Sequence, residues 1–453
     1  MEFRVDCFEQ KNMKKTKGIP KVSRLQFYAN ARRILVNPLP FHHERFEALG
    51  DTFQLDVGWG RTVIFSRDAA FAEYVLQKNQ KNYTKSPIQT EDVAKYLGKG
   101  LLTAEGELWK KQRKLIQPAF HKKQLAGLLD QVKAAILVEL NKIRTDAPMD
   151  IFPVFNYLAF QTVVKSLFSS AVGQQEIDRL QYITEAAQKM LVKELRQPYL
   201  GWYFNGFGKI KKHLDLTEEA RQILKRLIDE RKNSGERQDD LLDMLLDARY
   251  EDGTAMSEKQ LIDEILILFT AGHETTSNTL TFTSQLLARH PGVQEKIVLE
   301  VEVAKKASGD LMEFLKLCPY TQQVAEEGMR LYPPAYFIDR VPLEDDEFEG
   351  KFYPKGSSLL FSMFEIHRHT EYWEEPEQFK PERFAEGRYS HYFPFGAGPR
   401  KCIGNNFAMY EMVMTIAELV DNYKISGAEG PIEVLPLITL KPKKAILKFD
   451  LRK

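Results

Sequence analysis

A single cysteine near the end of the chain, Cys402, lies in a glycine-framed loop. We expect Gly396, Gly398 and Gly404 to adopt backbone conformations that side chains forbid and to let the main chain approach a flat ligand closely. The loop runs straight into a helix-like segment over 405–419. Backbone N–H groups are therefore predicted to point at the sulfur.

The charge around Cys402 favours its thiolate form. The positive end of the following helix and the neighbouring Arg400 and Lys401 all stabilise an anion. With one cysteine and no CxxC partner, the loop supplies too few ligands for tetrahedral zinc or an iron–sulfur cluster, whereas haem needs one axial thiolate. The loop therefore indicates haem ligation, and the alternative is a buried structural thiol.

A long helix is predicted from about Ser257 to Arg289, beginning at an S-x-x-Q capping box and ending before a proline. Its segment Ala271–Thr276 has low helix propensity, because it contains a glycine and two threonines. Gly272 removes bulk where a flat ligand or dioxygen must approach, and a threonine hydroxyl can bond back to a carbonyl of the preceding turn. The alternative is a glycine that serves helix packing. We expect His273 to be a polar helix residue and not a metal ligand.

Glu327 and Arg330 are three residues apart and share one face of a predicted helix. A PERF sequence downstream supplies a second arginine, Arg383. An isolated E-x-x-R pattern carries little information, since solvent-exposed helices often contain it. Its order and spacing relative to PERF and to the Cys402 loop make it specific.

The composition bounds the classes of function. The chain has 453 residues, of which 43% are hydrophobic, and no Gly/Ser-rich or Pro-rich linker divides it, so we expect one large body. The 64 basic and 63 acidic residues leave a net charge of +1, which provides no bulk attraction to nucleic acid. Three widely separated cysteines argue against a disulfide framework and favour a reducing compartment.

The N-terminal segment is basic and lacks a long apolar run. A membrane-spanning helix needs ~20 apolar residues, and a secretory signal needs an apolar stretch behind its basic residues. We therefore expect no membrane association. Residues 1–33 are predicted to form a basic, partly disordered tail ahead of a single domain over 34–453.

The remaining pattern shows which elements position these groups. Residues 53–65 alternate and turn at Gly58-Trp59-Gly60, which predicts a β-hairpin. Residues 341–366 return to short strands after a long helical region. The predicted helices include Gln124–Arg144, Gln175–Lys193, Thr217–Lys232 and Asp239–Tyr250. The fold class is therefore mainly α with small β-sheets.

Together, the Cys402 loop, the AGHETT segment, the E-x-x-R pair and PERF resemble the motifs of the cytochrome P450 superfamily, over about Phe53 to the C-terminus. The resemblance implies the cytochrome P450 fold and a heme b cofactor whose iron takes Cys402 as its axial ligand. It also implies a soluble, bacterial-type protein in the cytoplasm.

The resemblance assigns roles to single residues. Glu274 and Thr275 match the acid and threonine that assist proton delivery during oxygen activation in the family. Three charged residues match a buried structural network, namely Glu327, Arg330 and Arg383. The residues implied to bind the cofactor are Trp109, Arg113, Ala271, Arg340, Phe395, Arg400, Cys402 and Gly404. The residues implied to line the substrate pocket are Gln89, Leu266, Phe269, Thr270, Tyr336 and Phe337.

The implied activity is that of a monooxygenase that uses electrons from NAD(P)H to hydroxylate or O-demethylate a small organic substrate. Fatty acids, terpenoids, aromatic ethers and methylated sugars all stay open as substrates. The alternatives are a peroxide-driven or isomerising haem-thiolate enzyme and a non-catalytic haem sensor.

The implied electron donor is a separate ferredoxin or flavodoxin with its NAD(P)H-dependent reductase, because the chain ends about fifty residues after Cys402. We expect the donor to dock on a basic patch formed by Lys110, Lys111 and Lys114 together with Lys401. On the helix of Trp109, a rotation of ~100° per residue turns these three lysines away from Trp109 and Arg113. The protein is expected to be a monomer.

Overall fold

The computed structural model of the protein describes residues 17–58, 61–169, 172–387, 389–427 and 429–452. The α-helices in these ranges are α1 (Arg24–Ala29), α2 (Ala31–Val36), α3 (Leu39–Leu49), α4 (Ala69–Glu73), α5 (Ala94–Leu97), α6 (Gly106–Ile116), α7 (Lys122–Ala126), α8 (Leu129–Leu140), α9 (Phe152–Phe168), α10 (Gln174–Arg196), α11 (Gly201–Gly206), α12 (Lys209–Ser234), α13 (Leu241–Asp247), α14 (Glu258–Arg289), α15 (Pro291–Ala307), α16 (Leu311–Lys316), α17 (Pro319–Leu331), α18 (Met363–Ile366) and α19 (Asn405–Asn422). The β-strands are β1 (Lys21–Val22), β2 (Thr52–Gly58), β3 (Arg61–Ser66), β4 (Tyr83–Thr84), β5 (Met149–Asp150), β6 (Phe337–Pro342), β7 (Asp346–Phe348), β8 (Lys351–Tyr353), β9 (Ser358–Ser362), β10 (Tyr423–Ser426), β11 (Val434–Pro436), β12 (Leu440–Pro442) and β13 (Ile446–Leu451).

The described residues form two compact units. The first unit contains the chain up to Ser86 together with Arg330–Gln378 and Gly387–Cys402. The second contains Pro87–Met329, Phe379–Glu386 and the chain from Ile403 onward. The single domain over 34–453 stays a prediction.

A six-stranded sheet organises the first unit, with the strand order β1-β2-β3-β9-β6-β4. β2 and β3 pair antiparallel with Phe53 opposite Phe65, which confirms the predicted hairpin; residues 59–60 of its turn lie outside the described residues. β3 runs parallel to β9, and β9 pairs antiparallel with β6, where Arg340 lies opposite Leu359. The sheet therefore places Arg340 on an internal strand.

Described residues of the predicted N-terminal tail belong to the fold. Residues 1–16 lie outside the described residues, but β1 pairs in parallel with β2 and places the buried Val22 opposite Leu55. Helix α1 begins at a capping box formed by Ser23 and Gln26. Residues 21–29 are therefore part of the sheet and its adjoining helix, and not of the predicted tail, because Val22 supplies an apolar side chain to the core.

Helix α14 packs along α9 in the core of the second unit. The Phe269 ring lies between Phe160 and Phe168, with centroid separations of 5.4 and 6.5 Å. At Gly272 the two helices approach so closely that an added Cβ would lie 2.9 Å from Cγ2 of Val163. The contacts therefore support the alternative in which Gly272 serves the packing of α14 against α9.

The predicted central helix is confirmed. Its N-terminus is capped by the Ser257 side chain, which accepts a hydrogen bond from the N–H of Gln260 at 3.2 Å, and it continues without a break to Arg289. Helices α10, α12 and α13 confirm three further predictions with shifted bounds. The helix predicted over Gln124–Arg144 is instead the pair α7 and α8, because α7 ends at Gly127.

Small sheets accompany the helices of the second unit. β10, β13 and β5 form one sheet, and β11 pairs with β12 in a two-stranded ribbon. The ribbon places Lys441 and the turn before β12 beside α14, since the side chain of Asn278 donates to Oγ1 of Thr439 in that turn at 3.1 Å. No helix among the described residues combines the length and the apolar character that a membrane crossing requires.

Candidate functional site

The loop before Cys402 depends on two glycines. Gly396 and Gly398 have φ values of +69° and +66°, which side chains rarely adopt. An added Cβ at Gly398 would also overlap the carbonyl oxygen of Leu76. The loop closes where the N–H of Cys402 donates to the carbonyl oxygen of Phe395 at 2.9 Å. These two glycines are confirmed as backbone requirements.

The prediction that Gly404 needs a backbone conformation forbidden to side chains is wrong. Its φ of −86° is open to any residue, and an added Cβ would approach the ring of Phe120 only to an ordinary 4.0 Å. Gly404 is the residue before the first turn of α19, where a small side chain is common but positive φ is not required.

The two described cysteines differ sharply in accessibility. Cys318 is fully buried, and burial raises the pKa of its thiol to about 12. Such a thiol is a poor metal ligand, because the thiolate is the form that binds metal. Cys402 is exposed, and neither cysteine forms a disulfide within the described ranges. Cys7 lies outside the described residues.

Two arginines of the first unit are fixed through the backbone. Arg340 is buried, and its Nη1 donates to the carbonyl oxygen of Asp339 at 2.7 Å. Arg400 is half-buried, and its Nη1 donates to the carbonyl oxygen of Tyr83 at 3.2 Å. A planar guanidinium presents its N–H donors in a fork whose geometry matches a carboxylate.

Helix α6 separates its two faces as predicted. Trp109 is buried and Arg113 is half-buried, with Nε of Arg113 donating to Oε1 of Gln117 at 3.1 Å. The lysines of the opposite face are all exposed, namely Lys110, Lys111 and Lys114. Two of them are neutralised locally, since Lys110 pairs with Glu107 at 2.6 Å and Lys114 pairs with Glu251.

The Ala271–Thr276 segment combines an accessible hydroxyl with a buried acid. Oγ1 of Thr275 donates to the carbonyl oxygen of Ala271 at 2.7 Å, which confirms the predicted back-bond. Ala271 is exposed and Thr275 is half-buried, although most of α14 around them is buried. Oε1 of Glu274 lies 3.7 Å from Nζ of Lys441 on β12. An acid and an alcohol therefore adjoin on an open stretch of the helix.

His273 behaves as the predicted polar helix residue. It is buried, and its Nδ1 lies 2.8 Å from the carbonyl oxygen of Phe269. Its ring meets the ring of Phe160 edge to face, and burial lowers its pKa. His273 is therefore a neutral side chain that packs between α14 and α9.

The predicted charged network has two separately described parts. In the second unit, Oε1 of the buried Glu327 accepts hydrogen bonds from the N–H of Lys380 at 2.9 Å and from Nε of Arg383 at 3.1 Å. These bonds tie α17 to the PERF turn. Two donors stabilise this buried carboxylate. Loss of either donor would lower the stability of the protein, because a buried charge without its partner is unfavourable.

In the first unit, the buried Arg330 holds the segment between α18 and the Cys402 loop. Its Nη1 donates to the carbonyl oxygens of His367 and Pro376, each at 2.7 Å, and its Nη2 donates to that of Gln378 at 3.1 Å. Its guanidinium also lies 5.1 Å from the ring centroid of Trp373. One side chain therefore satisfies three backbone acceptors.

The six predicted substrate-pocket residues do not share one environment. Leu266 and Phe269 are buried in the apolar cluster of the second unit, where Phe269 packs against Phe160 of α9. Phe337 is half-buried and packs against Phe65 of the sheet. Gln89 and Thr270 are half-buried, and Tyr336 is buried. The pocket role of all six stays a prediction.

Three further residues of these regions were not predicted. Lys441 pairs with Glu274, and Nε2 of His367 accepts the N–H of Phe393 before the cysteine loop at 3.0 Å. Glu411 contacts Thr162 from α19. None of the three has a local sequence signal, because each partner lies far away in the chain.

Comparison with known proteins identifies the family. The profile of the family described as Cytochrome P450 matches residues 22–449. The chain belongs to the cytochrome P450 family. The predicted fold class and the predicted family are thereby confirmed, and the activity class is an oxygen-incorporating monooxygenase.

Several relatives of this cytochrome P450 carry functional names. Cyclooctat-9-en-7-ol 5-monooxygenase of Streptomyces melanosporofaciens is 28% identical over 390 residues, which cover 84% of each chain. Pentalenene oxygenase of Streptomyces avermitilis is 26% identical over 364 residues, covering 79% of this chain and 81% of that protein. The structure of retinoic acid bound cyanobacterial CYP120A1 matches with a TM-score of 0.79 at 25% identity, over 92% of this chain and 95% of that chain.

The cofactor of a cytochrome P450 is haem with an axial cysteine thiolate. The residues of each unit suit it. The first unit offers an exposed thiol in a loop closed by backbone bonds and glycines, with Arg340 and Arg400 as donors for carboxylates. The second offers the exposed Ala271 on α14, a helix that is otherwise mostly buried.

Proposed function

We propose that this cytochrome P450 hydroxylates an apolar substrate of the terpenoid class. One observation carries the substrate class: the segment after Gln89, which the family resemblance assigns to the substrate, turns apolar side chains inward. Val93, Tyr96 and Leu97 are buried, and they cluster with Met190 and other apolar residues of α10, α11 and α14. The names of the two Streptomyces relatives support the same class.

A spectroscopic binding screen tests the substrate class. Terpenoids, fatty acids, methyl ethers of aromatic compounds and methylated sugars would each be titrated into the haem-loaded protein, and the shift of the Soret band recorded. We expect terpenoids to bind most tightly. A shift with methylated sugars alone would overturn the proposal, and tight binding of a methyl ether would support the O-demethylation that stays a prediction.

Cys402 is proposed as the axial ligand, because it is the exposed one of the two described cysteines and lies in a loop that is closed by backbone hydrogen bonds. The reduced protein with carbon monoxide should show the strongly red-shifted Soret band of thiolate-bound haem. Cys402→Ala should abolish this band, and Cys318→Ala should preserve it. Retention of the band in Cys402→Ala would show that the assignment is wrong.

Other residues are proposed to hold the cofactor by its edges and faces. Four donors suit the haem carboxylates through planar or indole N–H groups, namely Trp109, Arg113, Arg340 and Arg400. Ala271 is proposed to face the ring from α14, since it has a small side chain and is exposed. Phe395 and Gly404 are proposed to flank the thiolate from either side of the loop.

The acid–alcohol pair of α14 is proposed to move protons. When bound, haem supplies the activation of dioxygen, by which one oxygen atom enters a C–H bond and the other leaves as water. Thr275 donates its own proton to Ala271, so its oxygen stays available as an acceptor for a water or an acid. Glu274, held near Lys441, can exchange protons with solvent and pass them to that side of the helix.

Electrons are proposed to arrive from a separate ferredoxin or flavodoxin and its NAD(P)H-dependent reductase. The exposed lysines of α6 are the proposed contact on the second unit. Their effect should be modest, because Lys110 and Lys114 each already pair with an acid of this protein. Surface charges of this kind act mainly on the association rate and are screened by salt.

A further inference from the structure

Two consecutive acids of α14, Asp263 and Glu264, are buried and belong neither to the structural network nor to the proposed proton-transfer pair. Both bind the main chain directly after α5. The N–H of Lys99 donates to Oδ2 of Asp263 at 3.0 Å. The N–H of Leu101 donates to Oε2 of Glu264, also at 3.0 Å. This stretch of main chain is therefore bound to α14 at two points.

Two glycines allow this close approach. An added Cβ at Gly98 would overlap the carboxylate of Asp263, and one at Gly100 would lie 2.7 Å from Oε2 of Glu264. Gly98 also has a φ of +83°, which side chains rarely adopt. The side chain of Gln260 donates to Oε1 of Glu264 at 3.1 Å and orients this carboxylate. The main chain therefore reaches α14 because these two positions lack side chains.

Asp263 also binds a second helix. Nη1 of Arg221 on α12 donates to Oδ1 of Asp263, and Nζ of Lys259 lies 3.0 Å from Oδ2. The guanidinium is the stronger partner, because 20% of the Arg221 side chain is exposed against 77% of the Lys259 side chain, and solvent screens an exposed charge. One carboxylate therefore joins α14, α12 and the main chain at Lys99.

Residues 88–101, the 88–101 segment, end at this junction and contribute to an apolar cluster. The buried Tyr96 and Leu97 of the segment belong to the same cluster as Ile267 of α14 and Ile210 of α12. The segment and α12 each supply apolar side chains, so the cluster opens when either of them leaves α14. Both are held there by the same carboxylate.

We propose that Asp263 is a positioning residue for substrate binding, which couples the opening of the 88–101 segment to that of α12. Departure of α12 removes the Arg221 guanidinium from a buried carboxylate. A buried charge without its partner is unfavourable, and opening of the segment would let water reach it, so the segment should open together with the helix. The inference rests on the proposed assignment of the 88–101 segment to the substrate.

Amide hydrogen exchange on the haem-loaded protein tests the coupling without any substrate. Arg221→Gln changes α12 alone, yet exchange should become several-fold faster over the 88–101 segment as well as over residues 209–221. Asp263→Asn should do the same, because its amide can still accept from Lys99 but no longer attracts the guanidinium. Faster exchange over residues 209–221 alone in Arg221→Gln would overturn the proposal.

Two control variants separate coupling from simple stability. Glu258→Gln breaks an ion pair between the same two helices, since Glu258 lies 2.8 Å from Lys225 of α12 at the surface. Asp240→Asn breaks a buried ion pair of α12, the one between Asp240 and Arg231 at 2.8 Å. Exchange over the 88–101 segment should stay at the wild-type rate in both. An equal acceleration in Asp240→Asn and Arg221→Gln would show that only stability is lost.

The binding rates of phenylimidazole, an azole that coordinates haem iron, test the link to substrate binding. In Arg221→Gln the association and dissociation rate constants should both rise several-fold while the Kd changes little, because the site opens more often but keeps its closed form. Unchanged rate constants would overturn the role in substrate binding. If Asp263→Asn does not fold, Arg221→Gln carries the comparison. Weak binding of terpenoids would refute the proposed substrate class alone, since these measurements use no terpenoid.

Discussion

The Cys402 loop is held mainly through backbone groups, whereas the Ala271–Thr276 segment of α14 is held mainly through side chains. In the loop, positive-φ glycines and the bond from Cys402 to Phe395 fix the main chain. In the helix, Oε1 of Glu274 lies 3.7 Å from Nζ of Lys441, and the hydroxyl of Thr275 donates to the carbonyl oxygen of Ala271. The loop is thus fixed by its own main chain, whereas the acid of the helix segment is held by a side chain from a distant part of the sequence.

The largest expected effect comes from removing the arginine that holds the backbone next to the Cys402 loop. Arg330→Ala would leave three buried or partly buried carbonyl oxygens without their donor and remove a buried charge, so the unfolding free energy should fall by about 3–5 kcal/mol. Haem retention should fall with it. Arg330→Lys should rescue only part of the loss, because one ammonium cannot replace the planar fork. Unchanged denaturant unfolding in Arg330→Ala would contradict this reading.

A second prediction tests the loop conformation itself. Gly398→Ala forces a side chain into positive φ and against Leu76, which should cost at least about 1–3 kcal/mol and weaken haem binding. Gly292→Ala on α15 is the control, because its φ is not positive and an added Cβ meets no atom within 4 Å, so it should be nearly neutral. The two variants would be compared by thermal unfolding and by the intensity of the carbon monoxide band. Similar losses in both would show that the backbone conformation is not what matters.

The third prediction concerns a substitution in the Ala271–Thr276 segment that leaves the Cys402 loop unchanged. Thr275→Ala should retain haem and the carbon monoxide band but divert reducing equivalents from product to peroxide, because the available hydroxyl is lost. Thr279→Ala removes a similar back-bond one turn later, to the carbonyl oxygen of Thr275 at 3.0 Å, from a buried site. It should preserve coupling. Measuring peroxide per electron in both variants decides the point, and equal coupling would refute the role of Thr275.

The smallest expected effect concerns the donor surface. Reversing charge at Lys110, Lys111 and Lys114 should slow reduction by an acidic ferredoxin a few-fold at low salt and leave reduction by dithionite unchanged. Reversal at Lys211 and Lys212 on α12, both exposed, is the control. Two native ion pairs on α6 limit the size of the effect. Equal rates with the ferredoxin before and after reversal would exclude this face as the docking site.

Sequence patterns predicted the features that are local along the chain. The β2–β3 hairpin, the capped helix α14 and the two positive-φ glycines each follow from residues that are neighbours in sequence. Thr275 was predictable for the same reason, since its partner lies one turn away. Physical chemistry of a single segment was sufficient in these cases.

The features that the sequence did not predict depend on contacts between residues far apart in the chain. Lys441 reaches Glu274 across 167 positions of chain by lying on a two-stranded ribbon, and Glu411 meets Thr162 from a helix of its own. No hydrophobic periodicity or residue spacing in the sequence predicts such pairs. The packing of Phe269 against α9 was likewise not predictable, because either face of a mostly apolar helix can turn toward the core.

The close approach of α14 to α9 has a consequence for how related sequences diverge. Since a methyl group at position 272 would meet Val163 at 2.9 Å, the two positions share one small volume. A lineage that gains a side chain at 272 should show a smaller residue at 163, and the reverse should hold as well. Inheritance at these two sites is therefore expected to be linked, so that Gly272→Ala alone is poorly tolerated while Gly272→Ala with Val163→Ala is accepted.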